Sequence, residues 1–430
     1  MEEQKKNTTE YERKKNSGGP GLLPIVLLIC LILPFAVWTQ TEDQEISSTE
    51  SRTLMQKAGI LDAAGSGANS LFLAIDEYAT DQFPFRSELM QLYTDFQIAI
   101  GKRQVRGVMI MKPAAEDGSQ AEGEVAAVDD RIGPDHVFEQ SYNINDADLW
   151  ALAKSIDSLK ERTALPVIYV LLPQKNLALA DASEGQLAND IDRRNLEKIK
   201  ERFADYDIDV IDCCSYFLET FSPRSRVLMY YKADFHWNDR GAYEAADHIC
   251  GQLCARGLAG RNERPLNADF LWGDLSDTYR YKGDMVNRLG EGAEVAESIP
   301  LYTPLDTASI RYYDKLDGPQ VPRESVVASG LSDPEKILEY NTICTFNTAY
   351  LRTENSNAKS GLKVLVFKDS YQNAMTDYLS VMFAEMNVID TRFRDVTADD
   401  VLAARDIDLI LFMFHQNNVS KDLIEYLDLR

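Results

Sequence analysis

The chain has 430 residues, long enough for one large domain or two ordinary ones, and its 45% hydrophobic content supports well-buried cores. Its 69 acidic against 45 basic side chains leave a formal net charge of −24, which excludes the basic surface that nucleic-acid binding requires. Six scattered cysteines and four histidines lack paired Cys-x-x-Cys or His-Glu-x-x-His spacing; they give no sign of a metal centre, and no cofactor is expected.

The run Leu22–Trp38 carries no charge. At about 1.5 Å per residue it reaches about 25 Å, just enough for the hydrocarbon core of a bilayer. Lys5, Lys6, Arg13, Lys14 and Lys15 precede it, and Glu42, Asp43 and Glu45 follow it, so the positive-inside rule puts the N-terminus in the cytoplasm. A cleaved signal peptide needs a small-x-small site, but Ala36-Val37-Trp38 ends in a bulky residue. The expectation is a cytoplasmic tail over 1–20, an uncleaved transmembrane helix over 21–39 and a polar stalk over 40–67, with the rest of the chain at the cell membrane's outer face.

From Asn69 to Arg103 a helical pattern runs with a break at Asp81–Arg86, where Arg86 is expected to tie this segment to the body. Residues 113–130 are acidic, rich in small residues and without periodicity, and read as a mobile loop; 68–145 is taken as one N-terminal segment. Helices are then predicted at 147–163 and 194–206, each before a short apolar strand, Pro166–Leu172 and Ile208–Ile211. An extended segment at 228–237 leads into a helix at 239–254. Strands at 363–367, 387–389 and 409–414 alternate with helices at 371–384 and 420–428. Short apolar strands alternating with helices indicate an α/β domain, a mainly parallel sheet with helices on both faces, built from 146–261 and 361–430. Between 262 and 360 the alternation stops, and this stretch reads as a β-rich insertion. Its aromatics Trp272, Tyr279, Tyr281, Tyr302, Tyr312 and Tyr313 would suit either sugar stacking or a core.

Ser370 is placed just past an apolar strand and at the start of a helix, where ligands bind in open α/β sheets and where free N–H groups favour a developing oxyanion. An ordinary N-cap serine would look the same. In Lys232-Ala-Asp-Phe-His-Trp237, residues two apart in an extended segment face one side, so Asp234 can orient His236 as a general base. A surface Asp near a half-buried His is the plainer alternative. His415, at the end of the strand 409–414, is the rival base; His136 and His248 carry no supporting pattern.

The segment ADFHWNDRGAY resembles the DHHW-motif proteins of bacterial cell surfaces, with Phe235 in place of the first His, and FKDSYQNA resembles the same family's Lys-Asp-Ser-aromatic segment. SRTLMQK, VIYVLLPQKN, VIDTRFR and LILFMF fit its other blocks. That family is similar to the SGNH-hydrolase-like domain of the alginate O-acetyltransferase proteins, in which Asp-x-His precedes the Ser. The resemblance implies a three-layer SGNH-like fold and a serine O-acetyltransferase with Ser370 as nucleophile, His236 as base and Asp234 as its orienter. The acceptor would be an exported or cell-surface polysaccharide, and a multi-pass membrane acyltransferase would supply the acyl group. Besides the Ser370 N–H, the candidate oxyanion or substrate contacts are Asn373, Lys175, placed at the mouth, and Asn176. A surface carbohydrate esterase with the same triad, and a non-catalytic glycan- or wall-binding protein of the same fold, are the competing readings.

Overall fold

The computed structural model describes Pro24, Val26, Leu28, Ile29 and residues 42–44, 54–65, 67–111, 131–133, 135–187, 190–260, 266–289, 297–333, 335–419 and 421–428. The anchor expected over 21–39 and the loop expected over 113–130 lie outside these residues, apart from four positions of the anchor. No helix among the described residues is long and apolar enough to cross a membrane. The chain divides into two compact units, Met1–Ile100 and Gly101–Arg430.

The first unit is helical, with Lys57–Ala64, Ala68–Asp81 and Arg86–Ala99. The first of these falls inside the expected stalk. The break at Asp81–Arg86 is a turn: Phe85 takes a left-handed φ of 58°, and Arg86 opens the next helix. Buried Asp81 accepts the Met55 N–H at 2.9 Å, and the Gln82 amide donates to Gln44 O at 2.9 Å and Met55 O at 3.0 Å.

The second unit is built on a seven-stranded sheet. In chain order its strands are β1 Val167–Leu172, β2 Asp209–Asp212, β3 Ile310–Tyr313, β4 Tyr350–Asn355, β5 Lys363–Lys368, β6 Glu385–Asp390 and β7 Leu409–His415. Their spatial order is β2-β1-β7-β5-β6-β4-β3; the first five run parallel and the last two are antiparallel additions. Residues 262–360 are therefore not confined to an insertion, because β3 and β4 come from them and extend the main sheet.

Side chains alternate across the sheet with a period of two. Ile168, Val170, Leu172, Val364, Val366, Leu409, Leu411 and Met413 join one core, beside the helices Asp239–Ala255 and Thr376–Met382. Val167, Tyr169, Leu171, Leu365, Phe367, Ile410, Phe412 and Phe414 join the other, beneath the helices Asp146–Thr163, Asp190–Ala204 and Lys421–Asp428. Strands buried on both faces need continuous apolar runs, and that is why β1, β5 and β7 stand out in the sequence. A three-layer α/β domain results, with β5, β1 and β7 delivering Ser370, Lys175 and His415 to one carboxyl edge.

Candidate active site

Two chain segments build the site. The first follows β5, where the chain turns at Asp369 into a 3-10 helix, Ser370–Met375, before the α-helix Thr376–Met382; the single helix expected over 371–384 is thus two pieces. Asp369, not Ser370, is the N-cap, and its Oδ1 accepts the Tyr371 N–H at 2.9 Å. Its Oδ2 accepts the His415 N–H at 2.9 Å and the Asn418 amide at 3.0 Å, binding the Ser370 turn to the end of β7. The Ser370 hydroxyl is consequently not spent on capping. As the first residue of the 3-10 helix, Ser370 also has an N–H with no intrahelical acceptor.

The second segment is 231–237. It is not the extended strand expected from its sequence but a series of bends closed by an isolated antiparallel bridge between Tyr230 and Trp237. Asp234 and His236 therefore share one side through the fold of this turn, not through strand alternation. Asp234 Oδ1 accepts the backbone N–H of His236 at 3.1 Å and lies 2.8 Å from His236 Nδ1. His236 Nε2 lies 2.8 Å from Ser370 Oγ. With the serine hydroxyl donating to Nε2, Nδ1 carries the proton that it shares with Asp234. The three side chains form one hydrogen-bonded series, in which Asp234 and His236 are buried and Ser370 is half-buried.

The surroundings hold that series in place. Tyr281 Oη donates to Asp234 Oδ2 at 2.7 Å, and the Asp284 N–H donates to the same oxygen at 3.1 Å. Burial alone would push the Asp234 carboxyl up. The His236 imidazole, the Asp284 N–H and the Tyr281 hydroxyl outweigh it and hold the carboxyl well below the usual carboxylate range. Gly283 lets this strap lie against the turn, since a Cβ there would sit 2.1 Å from Ala233 O. Tyr340 stacks on the His236 ring at 3.7 Å with planes 6° apart, and Phe235 covers it at 3.9 Å. Tyr371 joins the two segments: its Oη donates to Phe235 O at 2.5 Å, and its carbonyl accepts Trp237 Nε1–H at 2.9 Å.

The other expected contacts lie elsewhere. Lys175 is not at a mouth; it is completely buried, and its Nζ donates to main-chain carbonyls under the 231–234 turn. Asn176 uses its amide on Glu139 O at 2.7 Å and Ser141 Oγ at 3.0 Å. Asn373, expected to be a donor, is buried with Oδ1 on Lys368 Nζ at 2.5 Å and its amide on Asn347 Oδ1 at 3.0 Å. His415 stands beside Tyr371, ring centroids 5.3 Å apart, with Nε2 at 3.8 Å from Asp369 Oδ2; it makes no hydrogen bond to Ser370. Of the insertion aromatics, Tyr281 and Tyr312 are buried hydrogen-bond donors, to Asp234 and Asp377, whereas Trp272 is half exposed. Among the described residues no group of His, Cys, Asp and Glu is arranged to hold a metal ion. The sequence reading missed the parts played by Tyr281, Asp284, Tyr340 and Asp369. Only Asp369 had a local signal, a good capping residue directly before a helix start.

Residues 135–309 match the family described as the SGNH hydrolase-like domain of acetyltransferase AlgX. That stretch is similar to an SGNH-like domain. The matched segment contains Asp234 and His236, and Ser370 lies beyond it. The fold agrees. The structure of Bacillus cereus PatB1 aligns with a TM-score of 0.58 at 19% identity, over 68% of this chain and 97% of that one. The same protein with a sulfonyl adduct aligns with a TM-score of 0.57 at 18% identity, over 68% and 95%. A DHHW family protein from Eubacterium siraeum aligns with a TM-score of 0.53 at 19% identity, over 76% and 96%. No curated protein matches the chain. The likeness to DHHW proteins and to the AlgX domain read from the sequence is thus met again in the family match and in the fold.

Proposed function

We propose that the chain is a membrane-anchored, extracytoplasmic serine O-acetyltransferase that modifies an exported or cell-surface polysaccharide. The observation that carries this reading is the unbroken series Asp234–His236–Ser370, with 2.8 Å at each of its two side-chain links. Serine, imidazole and carboxylate in this order are what nucleophilic acyl transfer requires, whatever their order in the chain.

In the first half-reaction His236 Nε2 takes the Ser370 Oγ proton as Oγ attacks the acetyl carbonyl. The tetrahedral oxyanion is met by the Ser370 N–H, and the Asp234 carboxylate balances the imidazolium. His236 then hands its proton to the leaving oxygen, and an acetyl ester remains on Ser370. In the second half a sugar hydroxyl loses its proton to His236 and attacks that ester, and Ser370 Oγ leaves and takes the proton back. Water in place of the sugar makes the same site an esterase. The apolar run Leu22–Trp38 supports an anchor that keeps the domain beside a multi-pass membrane acyltransferase as acetyl donor.

The test is incubation of the full chain with p-nitrophenyl acetate and an oligosaccharide acceptor. Acetyl transfer to sugar faster than acetate release is the expected result. Acetate release that the sugar leaves unchanged would make the chain an esterase, and no ester on Ser370 would end the reading.

A further inference from the structure

We infer that Lys175 and Glu297 are a positioning pair that clamps the Asp234–His236 turn in the geometry where His236 meets Ser370, an inference that rests on Ser370 being the nucleophile. Lys175 follows β1 and reaches under the turn. Its Nζ lies 2.6 Å from Tyr231 O and 2.8 Å from each of Val137 O, Lys232 O and Asp234 O. The Phe138 ring closes the site, with its centroid 4.8 Å from Nζ. Four carbonyl oxygens converging on one buried point call for a cation: an ammonium offers three hydrogens and a neutral amine only two.

Glu297 grips the same peptide units by their other ends. Its Oε1 accepts the Ala233 N–H at 2.7 Å and its Oε2 the Lys232 N–H at 3.0 Å. The carbonyls of Tyr231, Lys232 and Asp234 thus turn towards Lys175 and the amides of Lys232 and Ala233 towards Glu297, which fixes the peptide planes that lead to Asp234 and His236. Neither side chain makes a hydrogen bond to Ser370, so the pair acts through Asp234 and His236. Burial pushes the Lys175 ammonium down, against the pull of Glu297, Asp234 and Asp135. Burial likewise pushes the Glu297 carboxyl up, against the two amide hydrogen bonds and the charge of Lys175. A completely buried ammonium and the half-buried carboxylate that faces its turn are each costly to leave alone, so deleting one should cost more than deleting both.

That asymmetry supplies a test that a merely structural pair would fail. In the full chain, the second-order rate of Ser370 acetylation by p-nitrophenyl acetate is measured beside Tm. Lys175→Met is expected to slow acetylation about 100-fold, the effect of a small misplacement of the base, and to lower Tm. The double variant K175M/E297Q removes both charges. It should regain Tm relative to K175M yet stay about tenfold or more below wild type in rate, because the four carbonyls still lack their cation. A rate that recovers in step with Tm would overturn the proposal, as would K175M reacting at the wild-type rate. If the lysine variants do not fold, E297Q alone decides: slowing of about threefold supports the clamp, and an unchanged rate refutes it. A wild-type chain that never forms the ester would remove the nucleophile reading and this inference together.

Discussion

The strand that leads to Ser370 and the turn that carries Asp234 and His236 are held in opposite ways. β5 lies between β7 and β6, with Val364, Leu365, Val366 and Phe367 buried in the two cores, so the nucleophile stands at the end of an element fixed by apolar packing. The turn 231–236 has no ladder of its own beyond one bridge, and besides the Tyr340 and Tyr281 rings stacked on it, its placement draws on polar contacts from distant residues, Lys175, Tyr281, Asp284 and Glu297. One half of this site is thus positioned mainly by the hydrophobic effect, which tolerates modest side-chain change. The other half is positioned by buried hydrogen bonds, whose single losses are expensive.

Substitutions can break this comparison, and the largest effect falls on the reacting group itself. Ser370→Ala should abolish ester formation with p-nitrophenyl acetate while leaving Tm nearly unchanged, which intact-mass measurement and calorimetry check together. Asp234→Asn, which keeps the shape but disturbs the tautomer of His236, should lower the acetylation rate by about 10³- to 10⁴-fold. Tyr281→Phe removes one charge-assisted hydrogen bond to Asp234 and should slow the reaction about tenfold, with about 1.5–3 kcal/mol of lost stability in urea unfolding. A conservative change on the apolar side, Val366→Ile, should alter the rate far less than Tyr281→Phe; equal losses would erase the distinction between the two regions.

A smaller effect concerns pH. Burial pushes the Asp239 carboxyl up to about 7, against the hydrogen bond from the Tyr302 N–H, from an ordinary value of 3.8. A raised folded value means that this group favours the fold fully below 3.8 and loses that contribution as pH rises towards about 7. Asp239→Asn should flatten the decline in Tm between pH 4 and pH 7, as differential scanning fluorimetry would show.

The apolar half of the molecule was the more legible in the sequence. β1, β5 and β7 are uninterrupted runs such as VIYVLL and LILFMF, because both faces are buried, and Ser370 could be placed at a strand end from them alone. The pairing of Asp234 with His236 was also legible, from the Asp-x-His spacing, although the turn that creates it was mistaken for a strand. A bend and a strand present the same local letters when the bend is closed by residues far along the chain. The roles of Tyr281, Asp284 and Tyr340 were hidden for the same reason: 47, 50 and more residues separate the first two from Asp234 and the third from His236, and nothing local marks a tyrosine that will reach back to a carboxylate. Lys175 was misplaced because a strand-end lysine ordinarily faces solvent; burying it takes four converging carbonyls that only the folded chain assembles.

The most direct test of the central claim is to expose the full chain to a serine-directed sulfonyl fluoride and locate the adduct by peptide mass spectrometry. A single adduct on Ser370, absent from Ser370→Ala and strongly slowed in Asp234→Asn, is the predicted result. An adduct on another residue, or labelling of Ser370 at the same rate in Asp234→Asn, would contradict it.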